Sequence, residues 1–235
     1  MGQQKTTTLD DGSVLQLNTN SQVNVAYTDG YRDISLLQGE AFFEVAKDRN
    51  RPLRVYVGKS RVEAIGTAFS VYRKGETMQL KVREGKVRLD SLVADRAITT
   101  GNTKQIKRAY EDSDFAHSLG VVSAGQEATV EQVQDAETIR ADVKAIAPDK
   151  LEEQLSWRTG LLIFKGEPLD QVVAEVSRYT TVSIEIVDES VKGIKIGGQV
   201  RVDDPQSMLD ALEANFGIKV TRMGYNHVQL SAVSD

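Results

Sequence analysis

Apolar residues alternate with polar ones along residues 9–90, and Gly or Asp-Gly steps break the alternation roughly every 8–12 residues. Leu15 and Leu17, Val23 and Val25, Ile34 and Leu36, Val55 and Val57 each lie two apart. So do Phe69 and Val71, Leu80 and Val82, Val87 and Leu89. Side chains two apart share one face of a strand, so this period predicts a succession of short strands, each with one face buried. Asp11-Gly12 and Asp29-Gly30 mark tight turns. Residues 91–118 are polar and break the rhythm, which reads as an insertion. Val121-Val122 and Ala128–Val130, split by Gly125-Gln126, then close the pattern. The expectation is an all-β domain over 1–133, solenoid-like or sandwich-like.

Beyond it the period changes. Residues 134–156 turn acidic and amphipathic and read as a connector, with Asp149 capping a short helix through Leu151 and Leu155. Residues 157–235 then repeat one grammar twice. The run Leu161–Phe164 leads into a helix started by Pro168, with Leu169, Val172, Val173 and Val176 on one stripe. The strand Val182–Val187 follows. In the second copy Asp204 caps, Pro205 starts, and Met208, Leu209, Leu212 and Phe216 form the stripe. Gly217 closes it, and strands Ile218–Thr221 and Val228–Leu230 flank a turn at Gly224. This pattern predicts a small α+β domain of two βαβ repeats. A helix of about 12 residues is marginal alone, so the two units are expected to share one core.

Composition narrows the function classes. A hydrophobic share of 40% suffices for packed cores. The net charge of -5 argues against a nucleic-acid partner, since phosphate neutralisation needs clustered cations. The one basic cluster, Lys104–Arg108, is followed by Glu111, Asp112 and Asp114 and reads as a solvated loop. With no cysteine there is no disulfide or thiolate chemistry, and the compartment stays open. No apolar run approaches the ~20 residues that span a bilayer. Met1–Thr6 fits a myristoylation pattern, but no second anchor follows, and an expression start is the better reading.

Catalytic patterns are missing from the sequence. His117 and His227 are the only histidines, and neither sits at a ligand spacing. Asp112-Ser113-Asp114 lacks the glycine and distal glutamate of a calcium loop. Asp203-Asp204 is explained by helix capping, Asp10-Asp11-Gly12 by turn chemistry. We therefore expect no cofactor, no metal and no enzymatic activity; the expected function is protein interaction.

A set of short motifs adds a resemblance. Leu9-Asp10-Asp11-Gly12-Ser13, Leu17-Asn18, Gly39–Val45, Arg51-Pro52, Gly66–Val71 and Glu84–Val87 stand in order, followed by Gly125-Gln126 and Trp157–Gly160. In this order they resemble the FecR family of inner-membrane sigma-factor regulators, or anti-sigma factors. Ile163–Leu169 through Arg178-Tyr179 resembles an STN (secretin and TonB short N-terminal) domain. The polar insertion 91–118 is longer than the family's spacing between these motifs.

The resemblance implies a periplasmic region of a single-pass inner-membrane protein. It would bind the signalling domain of an outer-membrane, TonB-dependent siderophore receptor. It would then relay an iron-uptake signal, through regulated proteolysis, to a cytoplasmic extracytoplasmic-function sigma factor. The sigma-binding part and the membrane segment would precede residue 1. Within the STN-like tail, Lys192, Ile194 and Ile196 alternate up to Gly197-Gly198, the pattern of a short edge strand that invites a partner's strand. The candidate partner-binding residues are Ile194, Ile196, Gln199, Arg201 and Val202, with Tyr225 and Asn226 in the last turn. A fully paired inner strand is the competing reading of that stretch. Competing functions are a secretin-like structural assembly module and a carbohydrate-binding β-solenoid.

Overall fold

The computed structural model describes residues 3–91, 117–132 and 139–233. Two compact units divide the chain, one over Gln4–Leu151 and one from Glu152 onward. The insertion motifs Lys104–Arg108, Tyr110, Asp112–Asp114 and Phe115 lie outside the described residues.

Among the described residues, the first unit contains twelve strands in one hydrogen-bonded sheet. They are β1 (Lys5–Thr8), β2 (Val14–Leu17), β3 (Gln22–Tyr27), β4 (Arg32–Glu44), β5 (Leu53–Val57), β6 (Ser60–Ala64), β7 (Ala68–Lys74), β8 (Thr77–Glu84), β9 (Lys86–Ser91), β10 (His117–Ser123), β11 (Gln126–Gln132) and β12 (Ile139–Ala145). At 13 residues β4 is the longest, and it belongs to both halves of the sheet. Its first half, from Arg32, pairs with β3 and, in parallel, with β5. Its second half, from Gly39, pairs with β2 and β7. One layer therefore runs β3-β4-β5-β6-β9-β10 and the other β1-β2-β4-β7-β8-β11-β12.

Successive hairpins alternate between these layers: β5–β6 in the first, β7–β8 in the second, β9–β10 back in the first, β11–β12 in the second. Each new hairpin extends its layer in the same direction. The sandwich-like and solenoid-like expectations thus describe one object, a two-layer sandwich built by an advancing series of hairpins. The inward residues merge into a single core. Leu15, Phe43, Phe69, Val71, Leu80 and Val82 come from one layer, and Ile34, Leu53, Val55, Val62, Val87 and Leu89 from the other. Phe43 and Phe69 face each other across β4 and β7 with ring centroids 5.1 Å apart, a stacked cross-strand pair.

The insertion leaves β9 at Ser91 and the chain resumes in β10 at His117, and these two residues pair directly. Residues 117–118, read from sequence as part of the insertion, are thus strand. Residues 139–145, within the stretch read as a connector, form β12 at the end of its layer. Helix α1 (Pro148–Gln154) follows, starting at Pro148, so that Asp149 lies in its first turn rather than capping it.

The second unit holds β13 (Leu161–Pro168), α2 (Leu169–Val176), β14 (Ser183–Ile186), β15 (Lys195–Arg201), α3 (Pro205–Asn215), β16 (Ile218–Arg222) and β17 (His227–Ala232). The expected element order is present, but the pairing corrects the idea of two closed βαβ repeats. The strands flanking each helix go to different sheets. β13 pairs antiparallel with β15, and a second sheet has the order β14-β17-β16 with β14 and β17 parallel. The two repeats interleave because neither helix offers enough apolar surface to close a unit alone. Leu169, Val172, Val173 and Val176 of α2 and Met208, Leu209 and Leu212 of α3 are buried, as the stripes required. Asp204 caps α3 by accepting from Ser207 N, and Pro205 starts it. Pro168, by contrast, is the extended residue before α2 and not its first helical one.

The bend of β4 depends on Gly39. It has φ +80°, and a Cβ there would lie 2.3 Å from Ser21 Oγ and 2.6 Å from Asn20 O. Gly75, in the β7–β8 turn, has φ +60° with open space around it. Gly39→Ala is expected to cost about 2–4 kcal/mol in urea unfolding, backbone strain plus overlap, and Gly75→Ala only about 1–2 kcal/mol. Equal losses would show that the close approach at Gly39 is not what fixes the bend.

Candidate protein-interaction site

The sequence-predicted residues fall into two places. Ile194 precedes β15, Ile196, Gln199 and Arg201 lie on it, and Val202 follows it. Tyr225 and Asn226 lie in the β16–β17 turn, which belongs to the other sheet. Nothing in the pairing joins the two groups.

The sheet β13-β15 has only two strands, so among the described residues β15 has one unpaired edge. The ladder phase shows which groups face that edge. Val202 N donates to Gly160 O at 3.0 Å, and Ile194 O accepts from Leu169 N at 2.9 Å. Ladder bonds alternate along an antiparallel strand, so the even-numbered residues 194–202 turn their N–H and C=O toward β13. The odd-numbered residues Lys195, Gly197, Gln199 and Arg201 turn theirs outward, and of these Arg201 O already accepts from Asp204 N at 3.1 Å. Side chains follow the same alternation: Ile196 is buried, whereas Lys195, Gln199 and Arg201 are exposed. Ile196 is thus a core residue supporting the edge, and Gln199 and Arg201 are the predicted residues that present it.

A groove of about 230 Å³ runs between β15 and α3. Its apolar lining comes from Phe164, Ile196, Val200, Met208, Leu212 and Phe216. Gly197 and Gly198 leave it uncovered: a Cβ on Gly198 would meet nothing within 4 Å. The periodicity of β15 pointed to the edge, but the groove had no sequence signal, because it arises from α3 packing beside a strand made of glycines. Tyr225 is wholly exposed at the other hairpin's tip, beside Met223 at 56% exposure. His227 and Glu185 meet at 3.1 Å across β17 and β14, with Gln229 on the same carboxylate.

The other concentrated chemistry is in the first unit and is buried. Arg32, at the start of β4, is 0% exposed and pairs with Asp11, whose side chain is 3% exposed. Arg32 Nε also donates to Arg51 O at 2.7 Å and Nη1 to Ala46 O at 3.0 Å. Asp11 accepts further from Ser13 Oγ at 2.6 Å and Tyr27 Oη at 3.0 Å. Ser13 Oγ in turn accepts from Ala46 N at 2.9 Å. Burial alone would raise the Asp11 carboxyl, but the hydrogen bonds from Ser13, Arg32 and Tyr27 outweigh it and hold the group below the usual carboxylate range. Burial, then the bond to Asp11, pushes the Tyr27 phenol well above its ordinary value. No group of three or more metal-binding side chains occurs among the described residues, and no described helix is long and apolar enough to cross a membrane.

The family model for the FecR protein matches residues 1–88, which is β1 through the first half of β9. Residues 1–88 carry a FecR-family domain. Two crystal structures of a candidate anti-sigma factor from Parabacteroides distasonis, at 1.65 and 2.50 Å resolution, share the fold. They align with TM-scores of 0.68 and 0.66 at 23% identity, over 99% of this chain and 96% of theirs. No curated protein matches the chain.

The FecR motifs in this chain do architectural work. Leu9–Ser13 and Arg51-Pro52 meet at the Arg32 corner, where Pro52 O also accepts from Arg32 N. Leu17-Asn18 meets Gly39-Glu40 at the bend of β4: Asn18 N donates to Glu40 O, and Asn18 Nδ2 to Glu40 Oε2, both at 2.9 Å. Gly66-Thr67 and Glu84-Gly85 lie against each other, since a Cβ on Gly85 would sit 2.8 Å from Thr67 Cγ2. Each of these contacts helps fix where a strand changes layer or direction.

The corner sets the FecR domain's pH limits. Because the folded chain holds Asp11 ionised to lower pH than the unfolded chain does, the stabilisation is complete above about pH 4 and fades as pH falls through the folded value. Tyr27 acts oppositely: the unfolded chain ionises first, so stability declines above about pH 10. Asp11→Ala is expected to cost about 3–5 kcal/mol by leaving Arg32 charged and unpaired in the interior. Tyr27→Phe should remove part of the alkaline decline in a melting series; an unchanged alkaline arm would contradict the assignment.

Proposed function

We propose that this chain is the periplasmic, signal-receiving part of a sigma-factor regulator, acting by binding rather than catalysis. The single observation that carries this is the FecR-family domain in residues 1–88, on a fold shared along nearly the whole chain with a candidate anti-sigma factor. We assign the second unit as STN-like: two helices, a two-stranded sheet and a three-stranded sheet in an interleaved repeat. Its partner in this reading is the signalling domain of an outer-membrane, TonB-dependent siderophore receptor. A segment preceding residue 1 would cross the inner membrane and hold an extracytoplasmic-function sigma factor, whose release by regulated proteolysis would follow receptor occupancy and adjust iron uptake.

The physical support is a division of labour. The charged corner of the sandwich is buried, and in the second unit the open edge of β15 lies beside an apolar groove. A receiver needs such an accessible surface on a rigid support. Titration calorimetry of the chain against signalling domains of TonB-dependent receptors from an iron-starved Gram-negative source is expected to give a one-to-one complex with Kd on the order of micromolar or tighter. The absence of any complex with the receptor encoded beside this chain would sink the receptor reading. Concentration-dependent assembly of the chain alone in light scattering would favour the secretin-like alternative instead.

A further inference from the structure

We infer that the open edge of β15, together with the groove between β15 and α3, takes an extended segment of a partner protein in which apolar residues alternate with acidic ones. The inference rests on the reading of this chain as a protein receiver, and it names the chemistry of what is received.

Three observations select that occupant. The outward N–H and C=O groups of Lys195, Gly197 and Gln199, with the N–H of Arg201, form a row about 20 Å long, since a strand advances about 3.3 Å per residue. A ladder of that form is matched by another strand's backbone, and an exposed strand edge is a ready template for such pairing. The groove beside it is mostly apolar, and Gly198, on the same face as Ile196 and Val200, leaves room where another residue would place a side chain. A strand added to the edge would turn every second side chain to the inner side of the sheet, where this space lies, so those residues should be apolar.

The third observation is charge. The solvent side of the β13-β15 sheet carries Lys165, Lys195 and Arg201, in a chain whose net charge is -5. Arg201 is paired with Asp203, and Asp204 lines the groove at that end, so the uncompensated cations are Lys165 and Lys195, which form no ion pair among the described residues. The alternate side chains of an added strand would lie on this basic side, and acidic residues complement it. The Tyr225-Asn226 turn belongs to the other sheet, apart from the groove between β15 and α3, and is left out of the site.

Two peptides of eight residues serve as probes, one alternating valine with glutamate and one alternating valine with lysine. They are titrated into the isotope-labelled full chain and followed by amide NMR shifts. The glutamate peptide is expected to shift the amides of Lys195–Val202 and of Ser207 and Ala211, and to bind about tenfold tighter than the lysine peptide. Gln199→Pro removes an outward N–H without touching the ladder to β13, and Ala211→Trp fills the groove from the helix side. Each variant, once shown to be folded by its unchanged remaining spectrum, is expected to lose the response. Shifts centred on residues 223–226, equal binding of both peptides, or full binding by the folded variants would overturn the proposal. A receptor signalling domain titrated in parallel separates the two claims. If it binds wild type and both variants alike, the edge proposal falls and the receiver reading stands. If only the peptide binds, and at this edge, the receptor reading falls and the edge stands. Self-association that occupies β15 in place of the peptide would also overturn the proposal.

Discussion

One strand serves two layers, and the first unit depends on holding it at both ends of its work. β4 begins at Arg32, whose guanidinium is wholly buried and would be intolerable there without Asp11 and the carbonyls of Ala46 and Arg51. It bends at Gly39, where the Asn18–Ser21 turn packs against its backbone. Between these points the strand passes from one layer to the other, and every later hairpin takes its place relative to that passage. The buried ion pair adds little by simple attraction, because two charges had to leave water to form it. Its consequence is positional: any other placement of β4 leaves a cation in the core.

This arrangement accounts for why the family's motifs are spread along the chain rather than gathered in one site. Asp11, Ser13 and Arg51 O contact the Arg32 side chain, and Pro52 O its backbone N–H. Asn18 and Glu40 close the bend, and Gly85 makes room for Thr67. A recurring fold of this kind can support different partners, because what recurs is the route of the chain and not a chemical centre.

Much of the sandwich was legible in the alternation of apolar residues, since a strand with one buried face must show a period of two. What alternation does not carry is which strand neighbours which, and so the layered order of hairpins appeared only in the pairing. The second unit shows the same limit more sharply. The stripes of α2 and α3 and the cap at Asp204 were readable, because helix burial and capping are local. The interleaving of the two repeats was not, because β13 reaches β15 and β14 reaches β17 over separations that no local period records. β1, with its run of threonines, carries too little apolar contrast to stand out. Among the site residues, the edge character of Gln199 and Arg201 followed from a short alternating run ending in glycines. The burial of Ile196 and the separation of Tyr225 and Asn226 from that edge required the sheets themselves.

The two units therefore divide the protein's physical tasks. The FecR-family domain spends its polar chemistry internally, on a corner and a bend. The second unit leaves backbone hydrogen-bonding capacity unspent along β15, beside an apolar groove and the unpaired Lys165 and Lys195. Amide hydrogen exchange of the full chain, with and without a bound receptor signalling domain, tests this division most directly. The account predicts new protection at Lys195, Gly197, Gln199 and Arg201 with the 223–226 turn unchanged; protection at the strands of residues 4–145 or at that turn, with β15 exchanging as before, would contradict it.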